Sequence, residues 1–410
     1  CPNFACVPTK ALLQSADILE TVKNAQVFGI NVKDISFDYE QIFKRKNLVV
    51  GRTGASHGRQ AFEKSGVHVI PHQATFVSPY EIESIGMRFS SHKFIIATGS
   101  CVFIPKISGL EESGYITFKE AVNLKKPPES LFIIGGGPVA CEFAQIFSIF
   151  GTKVTIASRS TLLSNEDREV IELVQALFEN RRITVLNGVT AERVEKKNHK
   201  KIISYVFGGK HESVEAQEIL VATGKTPNLG VGLERAKVQT THLGLLVNRY
   251  LQTSVPHIFA AGDVVGPYLF THSAEFQSYI AAHNAFSRKK IPVNYNAVPR
   301  CVFITPEVAS VGLTEAAAEK KGIKIKKGLA AISILGRANT SEEFDGFVKV
   351  VTDKKGVLIG AAIVAPRAGE MIHELCLAIN LRVKAEVLAR MIHAYPTFSE
   401  AVKIACSNLE

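Results

Sequence analysis

The sequence predicts an α/β fold organised on a parallel, nucleotide-binding sheet, and three observations carry that expectation. An apolar run at Leu131–Ile134 meets a Gly135-Gly136-Gly137-Pro138-Val139-Ala140 turn, and a helix-period pattern over Val139–Phe150 leads into a second run at Lys153–Ala157. Two parallel strands joined by a crossover helix follow from that order. Residues 297–410 alternate strand and helix patterns, with helices expected at Ala316–Lys321 and Gly369–Asn380. A chain of 410 residues, 46% hydrophobic and 21% charged, has the balance of a globular protein and the length for two or three domains.

In chain order, a helix beside two cysteines leads through residues 47–66 to strands at Val67–Ile70 and Phe94–Ile96, then a turn at Ala97-Thr98-Gly99-Ser100. Pro105–Gly109 and Lys125–Glu129 are linkers. After the βαβ unit, a hairpin at Arg193–Val206 and a strand at Glu218–Ala222 close a domain near Asn228; a strand at Ile258–Ala261 and a helix from about Ser273 follow. The basic run Lys196–Lys201 is a solvated turn. No apolar run approaches the roughly 18 residues of a bilayer span. A net charge of +10 comes without Trp, a nucleic-acid motif or an aromatic-interleaved basic helix. No membrane or nucleic-acid partner is expected, and the excess charge would attract phosphate-bearing cofactors. Seven cysteines, with no secreted-scaffold spacing and no signal peptide, suggest a cytoplasmic protein. Cys101, Cys141, Cys301 and Cys376 lie in apolar patterns and are expected to be buried, inert thiols.

The chain begins Cys1-Pro2-Asn3-Phe4-Ala5-Cys6-Val7-Pro8-Thr9-Lys10, two cysteines in C-x4-C spacing beside a lysine. Regular helix would separate the two Cα atoms by about 7.5 Å along the axis, beyond the roughly 7 Å a disulfide tolerates. A bridge therefore needs an irregular turn, which Pro2, Asn3 and Pro8 favour; spacing alone equally suits two unrelated loop cysteines. In the glycine turn, Gly135 permits the tight bend, Gly137 lets backbone approach a pyrophosphate, and Ala140 allows close helix–strand packing. The helix N-terminus offers free N–H groups and partial positive charge. NAD binders carry an acid about 20 residues on, where this chain has Ser158-Arg159. An arginine binds a 2′-phosphate through charge-assisted bonds, each worth about 1.5–3 kcal/mol. NADPH is thus expected ahead of NADH; the alternative leaves Arg159 a solvated surface charge.

The C-x-N-x-x-C-V-P-x-K start resembles the active site of the flavin-dependent pyridine nucleotide–disulfide oxidoreductases. The resemblance continues at Gly135–Glu142, Ala222–Asn228, Ala260–Asp263, Val302–Glu315 and His393–Glu400, spans the chain in the family's order, and is nearest to mercuric-reductase-like members. It implies two Rossmann-like nucleotide-binding domains, for FAD and NAD(P), plus a C-terminal α+β dimerisation domain. The implied boundaries are 1–111 for FAD binding, 112–228 for NAD(P), 229–296 for a returning FAD segment, and 297–410 for the interface. The family's first flavin fingerprint precedes the cysteines and is not in this sequence, so the chain is expected to be a fragment of a longer protein.

By the same resemblance Cys1 meets substrate, Cys6 contacts flavin, and Lys10 stands by the reactive flavin nitrogen, paired with Glu142. On sequence alone Glu142 could equally face solvent. Thr253–Asp263 resembles the second flavin motif: Asp263 accepts from the ribityl chain and Gly262 lets backbone approach. Thr271, His272 and Ala274 bring main-chain N–H groups to the flavin ring, with His272 structural. Thr98, Gly99 and Gly224 join the cofactor-binding set, and Lys225 replaces the family's usual arginine. The family's His-Pro-x-x-x-Glu reads Tyr395-Pro396-Thr397-Phe398-Ser399-Glu400 here, and tyrosine, with a reference pKa near 10, is a poor base. His393 lies two residues away, and whether it replaces the imidazole stays open. The implied function is an NADPH-dependent FAD enzyme of cell redox homeostasis, a homodimer without resident metal, passing electrons through Cys1–Cys6 to a thiol, disulfide or metal-ion substrate. A dihydrolipoamide dehydrogenase- or glutathione reductase-like enzyme and a flavin-less nucleotide-binding scaffold are the alternatives.

Overall fold

The computed structural model describes residues 1–54 and 58–410. The chain forms two compact units, one of Cys1, Gly54–Ile104 and Gly224–Tyr295, the other of Pro2–Thr53, Pro105–Thr223 and Asn296–Glu410.

In the larger unit a four-stranded parallel sheet runs in the order Glu218–Val221, Ser130–Ile134, Lys153–Ser158, Thr184–Asn187. Its central strands are nearly continuous apolar runs because both faces are covered, as parallel sheets require. The fingerprint helix Pro138–Ile149 buries Ala140, Phe143, Ala144 and Phe147 in the same core as Leu12, Leu13 and Ala16 of the cysteine helix Cys6–Lys23. A three-stranded antiparallel ribbon, Thr190–Lys197, Lys200–Phe207 and Lys210–Ala216, is inserted between the sheet strands Thr184–Asn187 and Glu218–Val221. The C-terminal residues form a five-stranded sheet in the order Arg300–Val302, Glu307–Gly312, Leu358–Ala365, Phe347–Asp353, Ile325–Ala331. Helices Ala368–Asn380 and Glu400–Ser407 pack their apolar residues into its core.

The smaller unit contains a parallel pair, Phe94–Ile96 with Ile258–Ala260, and a meander, Thr75–Ser78, Glu81–Ser84, Met87–Ser90. Its helix Thr271–Phe286 contributes Ile280, Ala281 and Ala285 to a core with Phe259 and Leu251.

Three local expectations are corrected. Val67–Ile70 is not a strand, because it has no ladder partner among the described residues. Cys101 is exposed: its strand, Ser100–Val102, pairs with one neighbour among the described residues, so one edge of it stays open. Lys201 is buried rather than solvated, its ammonium paired with Glu218. Cys141 is buried as expected, while Cys301 and Cys376 are half-buried.

Candidate active site

Cys1 and Cys6 are both disulfide-bonded, and Cys101, Cys141, Cys301, Cys376 and Cys406 are free thiols. The helix starts only at Cys6, so residues 1–5 supply the irregular turn that a bridge at this spacing needs. Cys6 begins an 18-residue helix with no acid in its first turn and no side-chain cap, where the positive end of the helix dipole favours a thiolate once the disulfide opens. Cys1 is exposed, and the Thr271 hydroxyl donates to its sulfur at 2.5 Å.

One turn into that helix, Lys10 Nζ lies 2.8 Å from both carboxylate oxygens of Glu142. Glu142 is only 6% exposed at its side chain, so the solvent-facing alternative is excluded. A buried carboxylate persists where its charge is matched and its lone pairs are used. Here the Phe303 N–H donates to Glu142 Oε1 at 3.2 Å, and the Phe303 ring lies under Lys10 Nζ at 4.5 Å in cation–π contact.

The glycine turn is set by close approach. Gly135 has φ +129°, and a Cβ there would sit 2.3 Å from the Ala222 carbonyl oxygen. Gly137 differs, since a Cβ there would meet nothing within 4 Å. The following helix has Pro138 and no acid in its first turn, and no side-chain cap. That open side beside uncapped N–H groups fits a dinucleotide pyrophosphate. Ala140 is fully buried. Ser158 is buried too, its hydroxyl donating to the Thr161 carbonyl at 3.1 Å, whereas Arg159 is exposed with no acid paired to it among the described residues.

In the smaller unit, Asp263 follows the strand Ile258–Ala260, and its Oδ2 accepts from Ser100 Oγ at 2.6 Å and Lys225 Nζ at 3.2 Å. Lys225 thus neutralises this carboxylate, and the second Asp263 oxygen suits a flavin ribityl hydroxyl. Gly262 adopts φ +83° and donates its N–H to Gln277 at 2.7 Å. Thr98 is less free than expected: its hydroxyl donates to the Asn228 carbonyl at 2.7 Å, while Asn228 also donates its amide N–H to Gly99. Gly224 has φ +114° and accepts the Phe103 N–H. The Ala274 N–H is used within its own helix, donating to Phe270, and exposed His272 stacks on the Phe270 ring at 5.2 Å.

Tyr395 is 77% exposed, its phenol oxygen against Gly336, where a Cβ would come within 2.8 Å. His393 is held instead of presented: Nε2 lies 3.2 Å from Glu374 Oε1 and Nδ1 lies 3.3 Å from the Met391 carbonyl. Glu400 accepts the Thr397 N–H at 3.1 Å. Phe303, Ser100 and Glu374, each touching an expected site residue, were invisible in the sequence. They lie 161, 163 and 19 positions from Glu142, Asp263 and His393, and no local pattern encodes such pairings.

Residues 1–287 match the family described as Pyridine nucleotide-disulphide oxidoreductase, and residues 298–406 match its dimerisation domain. A mercuric reductase of Staphylococcus aureus is 33% identical over 100% of this chain and 76% of its own length. A dihydrolipoyl dehydrogenase of Chlorobaculum tepidum is 34% identical over 99% of this chain and 88% of its own. The HOCl-induced flavoprotein disulfide reductase RclA from Escherichia coli superposes with a TM-score of 0.87 at 25% identity, covering 99% of this chain and 90% of that one. The chain belongs to the pyridine nucleotide–disulfide oxidoreductases: it is an NAD(P)H-dependent flavoprotein disulfide oxidoreductase, working with FAD and a nicotinamide nucleotide.

Proposed function

We propose that this enzyme takes its electrons from NADPH and delivers them through Cys1 and Cys6 to a soft metal ion, in the manner of a mercuric reductase. FAD supplies, when bound, the two-electron relay between a reduced nicotinamide and a disulfide. The rest falls to the chain. The N-terminus of Pro138–Ile149 holds the nucleotide pyrophosphate, and Arg159 takes the 2′-phosphate. Lys10, fixed by Glu142, would supply a positive charge near the flavin nitrogen, and Asp263 would accept from the ribityl chain. As the disulfide opens, Cys6 keeps its thiolate at the helix N-terminus and exposed Cys1 meets the substrate. The domain boundaries proposed are 1–111 and 229–296 for FAD, 112–228 for the nucleotide and 297–410 for the interface.

The observation that carries the choice of substrate is Tyr395, exposed where the family's disulfide enzymes place an imidazole, while both nitrogens of His393 already have partners. A phenol is a weak base at neutral pH but can ligate or orient a metal beside two thiolates. A homodimer would bring Tyr395 to the other subunit's Cys1, and exposed Leu377, Leu381 and Ile392 suit such an interface. A lipoyl-type reductase is the second reading, favoured by the 34% identity to a dihydrolipoyl dehydrogenase. Steady-state assays of the native enzyme, Tyr395→Phe and Tyr395→His with Hg(II) and with lipoamide or glutathione disulfide decide. Loss of metal turnover in Tyr395→Phe and gain of disulfide turnover in Tyr395→His are expected. Undiminished metal turnover in Tyr395→Phe, together with high native disulfide turnover, selects the second reading.

A further inference from the structure

The loop that joins the strand Lys153–Ser158 to the helix Arg168–Asn180 carries Arg159, and its two ends are held by different parts of the larger unit. The near end is tied to the nucleotide sheet. Leu163 N–H donates to the Gly136 carbonyl at 2.8 Å, and Gly188 N–H donates to the Ser160 carbonyl at 2.9 Å. The far end and the first turn of the helix carry three acids, Glu166, Asp167 and Glu169, whose cationic partners come from the C-terminal sheet.

Arg300, which opens the strand Arg300–Val302, sets Nε 3.1 Å from Glu166 Oε1 and its second nitrogen 3.4 Å from Oε2. Lys349, in the strand Phe347–Asp353, is 1% exposed at its side chain. Its Nζ lies 2.8 Å from Glu169, 2.8 Å from Glu315 and 3.5 Å from Asp167. Asp167 Oδ1 also accepts the Glu315 N–H at 3.0 Å. Burial opposes the charge on Lys349, but hydrogen bonds to Glu169 and Glu315 prevail and hold its pKa above the ordinary lysine value. One buried ammonium shared by three carboxylates is tolerable only while that geometry is kept, so the cluster acts as a rigid anchor.

We propose that Arg300 and Lys349 are positioning residues for nucleotide selection: they clamp residues 159–167 so that Arg159 meets the 2′-phosphate of NADPH already ordered. The proposal rests on the role given to Arg159 above and extends it to the C-terminal sheet. NADH carries a hydroxyl at that position and gains nothing from an ordered Arg159. A loosened loop would lose its freedom on binding NADPH, and that entropy would be subtracted from NADPH affinity alone.

The test measures NADPH and NADH dissociation constants by fluorescence titration of the FAD-loaded protein, with amide hydrogen exchange followed over residues 159–167. Lys349→Met would strand three acids and risks misfolding, so Arg300→Met and Glu166→Gln, which open one partly exposed pair, are the primary variants. Each should weaken NADPH about tenfold, equivalent to about 1.4 kcal/mol, leave NADH unchanged and speed loop exchange. Arg300→Lys should recover part of the loss. Equal weakening of both nucleotides, or faster exchange with unchanged NADPH affinity, overturns the clamp. Arg159→Glu separates the two ideas. If it leaves the native preference intact, or none exists, the nucleotide reading falls and the clamp with it. If it abolishes the preference while Arg300→Met and Glu166→Gln do not, only the clamp falls.

Discussion

The turn after Ser130–Ile134 contains no charged side chain, whereas the turn after Ile258–Ala260 is organised around one, Asp263. Both follow the carboxyl end of a parallel strand, where α/β sheets place their ligands. In the first, specificity is built from backbone: Gly135 has carbonyl oxygen where a side chain would stand, and Gly137 has nothing. In the second, Asp263 needs the hydroxyl of Ser100 and the ammonium of Lys225 before its charge can sit half-buried. A backbone-built turn depends on its own few residues and fails sterically. A charge-built turn depends on distant partners and fails electrostatically.

The two glycines give the largest expected effects and the sharpest way to break that contrast. Gly135→Val puts a branched Cβ at φ +129° and 2.3 Å from the Ala222 carbonyl, so the sheet must move. A loss of at least about 3 kcal/mol in urea unfolding is expected. Gly137→Ala should leave unfolding unchanged yet weaken both nicotinamide nucleotides by roughly tenfold or more, because its methyl enters the space left for phosphate. Equal stability in Gly135→Val, or unaltered nucleotide binding in Gly137→Ala, would break the account of this turn.

The charged pairs rank next. Lys10→Met leaves Glu142 buried with one backbone N–H and no cation, and should cost about 3 kcal/mol. Lys225→Met leaves Asp263 its bond from Ser100 and better access to water, and should cost about 1 kcal/mol. Thermal and urea unfolding of the two variants side by side check the order. A larger loss in Lys225→Met would mean that burial does not set the cost.

What the sequence made legible follows the same division. The fingerprint helix, expected at Val139–Phe150, runs Pro138–Ile149, because a strand, a glycine turn and a helix period lie within about twenty adjacent residues. The need for an irregular turn between Cys1 and Cys6 was legible from the spacing, with Pro2 and Asn3 inside it, whereas Pro8 lies in the first turn of the helix instead. The burial of Glu142 was not: its neighbours Lys10 and Phe303 are 132 and 161 positions away. Lys349 sits in the apolar run Phe347-Val348-Lys349-Val350-Val351, and only the three acids around it explain a lysine there. Val67–Ile70 looked like a strand because its composition suits one, but a strand also needs a neighbour, which composition does not specify.

Glu307 extends the comparison to a carboxyl that has no cation bonded to it among the described residues, and its effect is expected on one side of the pH range alone. One of its oxygens accepts the Gly369 N–H at 2.8 Å. Burial, with the negative charges of Glu370 and Asp17, outweighs that hydrogen bond and raises its pKa from 4.5 to about 7. The folded protein therefore holds this proton more tightly than the unfolded chain does. Its stabilisation is complete below the unfolded value near 4.5 and is lost as pH rises through about 7. Glu307→Gln keeps an acceptor for Gly369 but never ionises. The variant should match the native protein in thermal stability at pH 4.5 and exceed it at pH 8. A difference that stays constant across that range, or grows toward acid, would show that Glu307 is carried as a charge, matched in some way that the pairs at Glu142 and Asp263 do not illustrate.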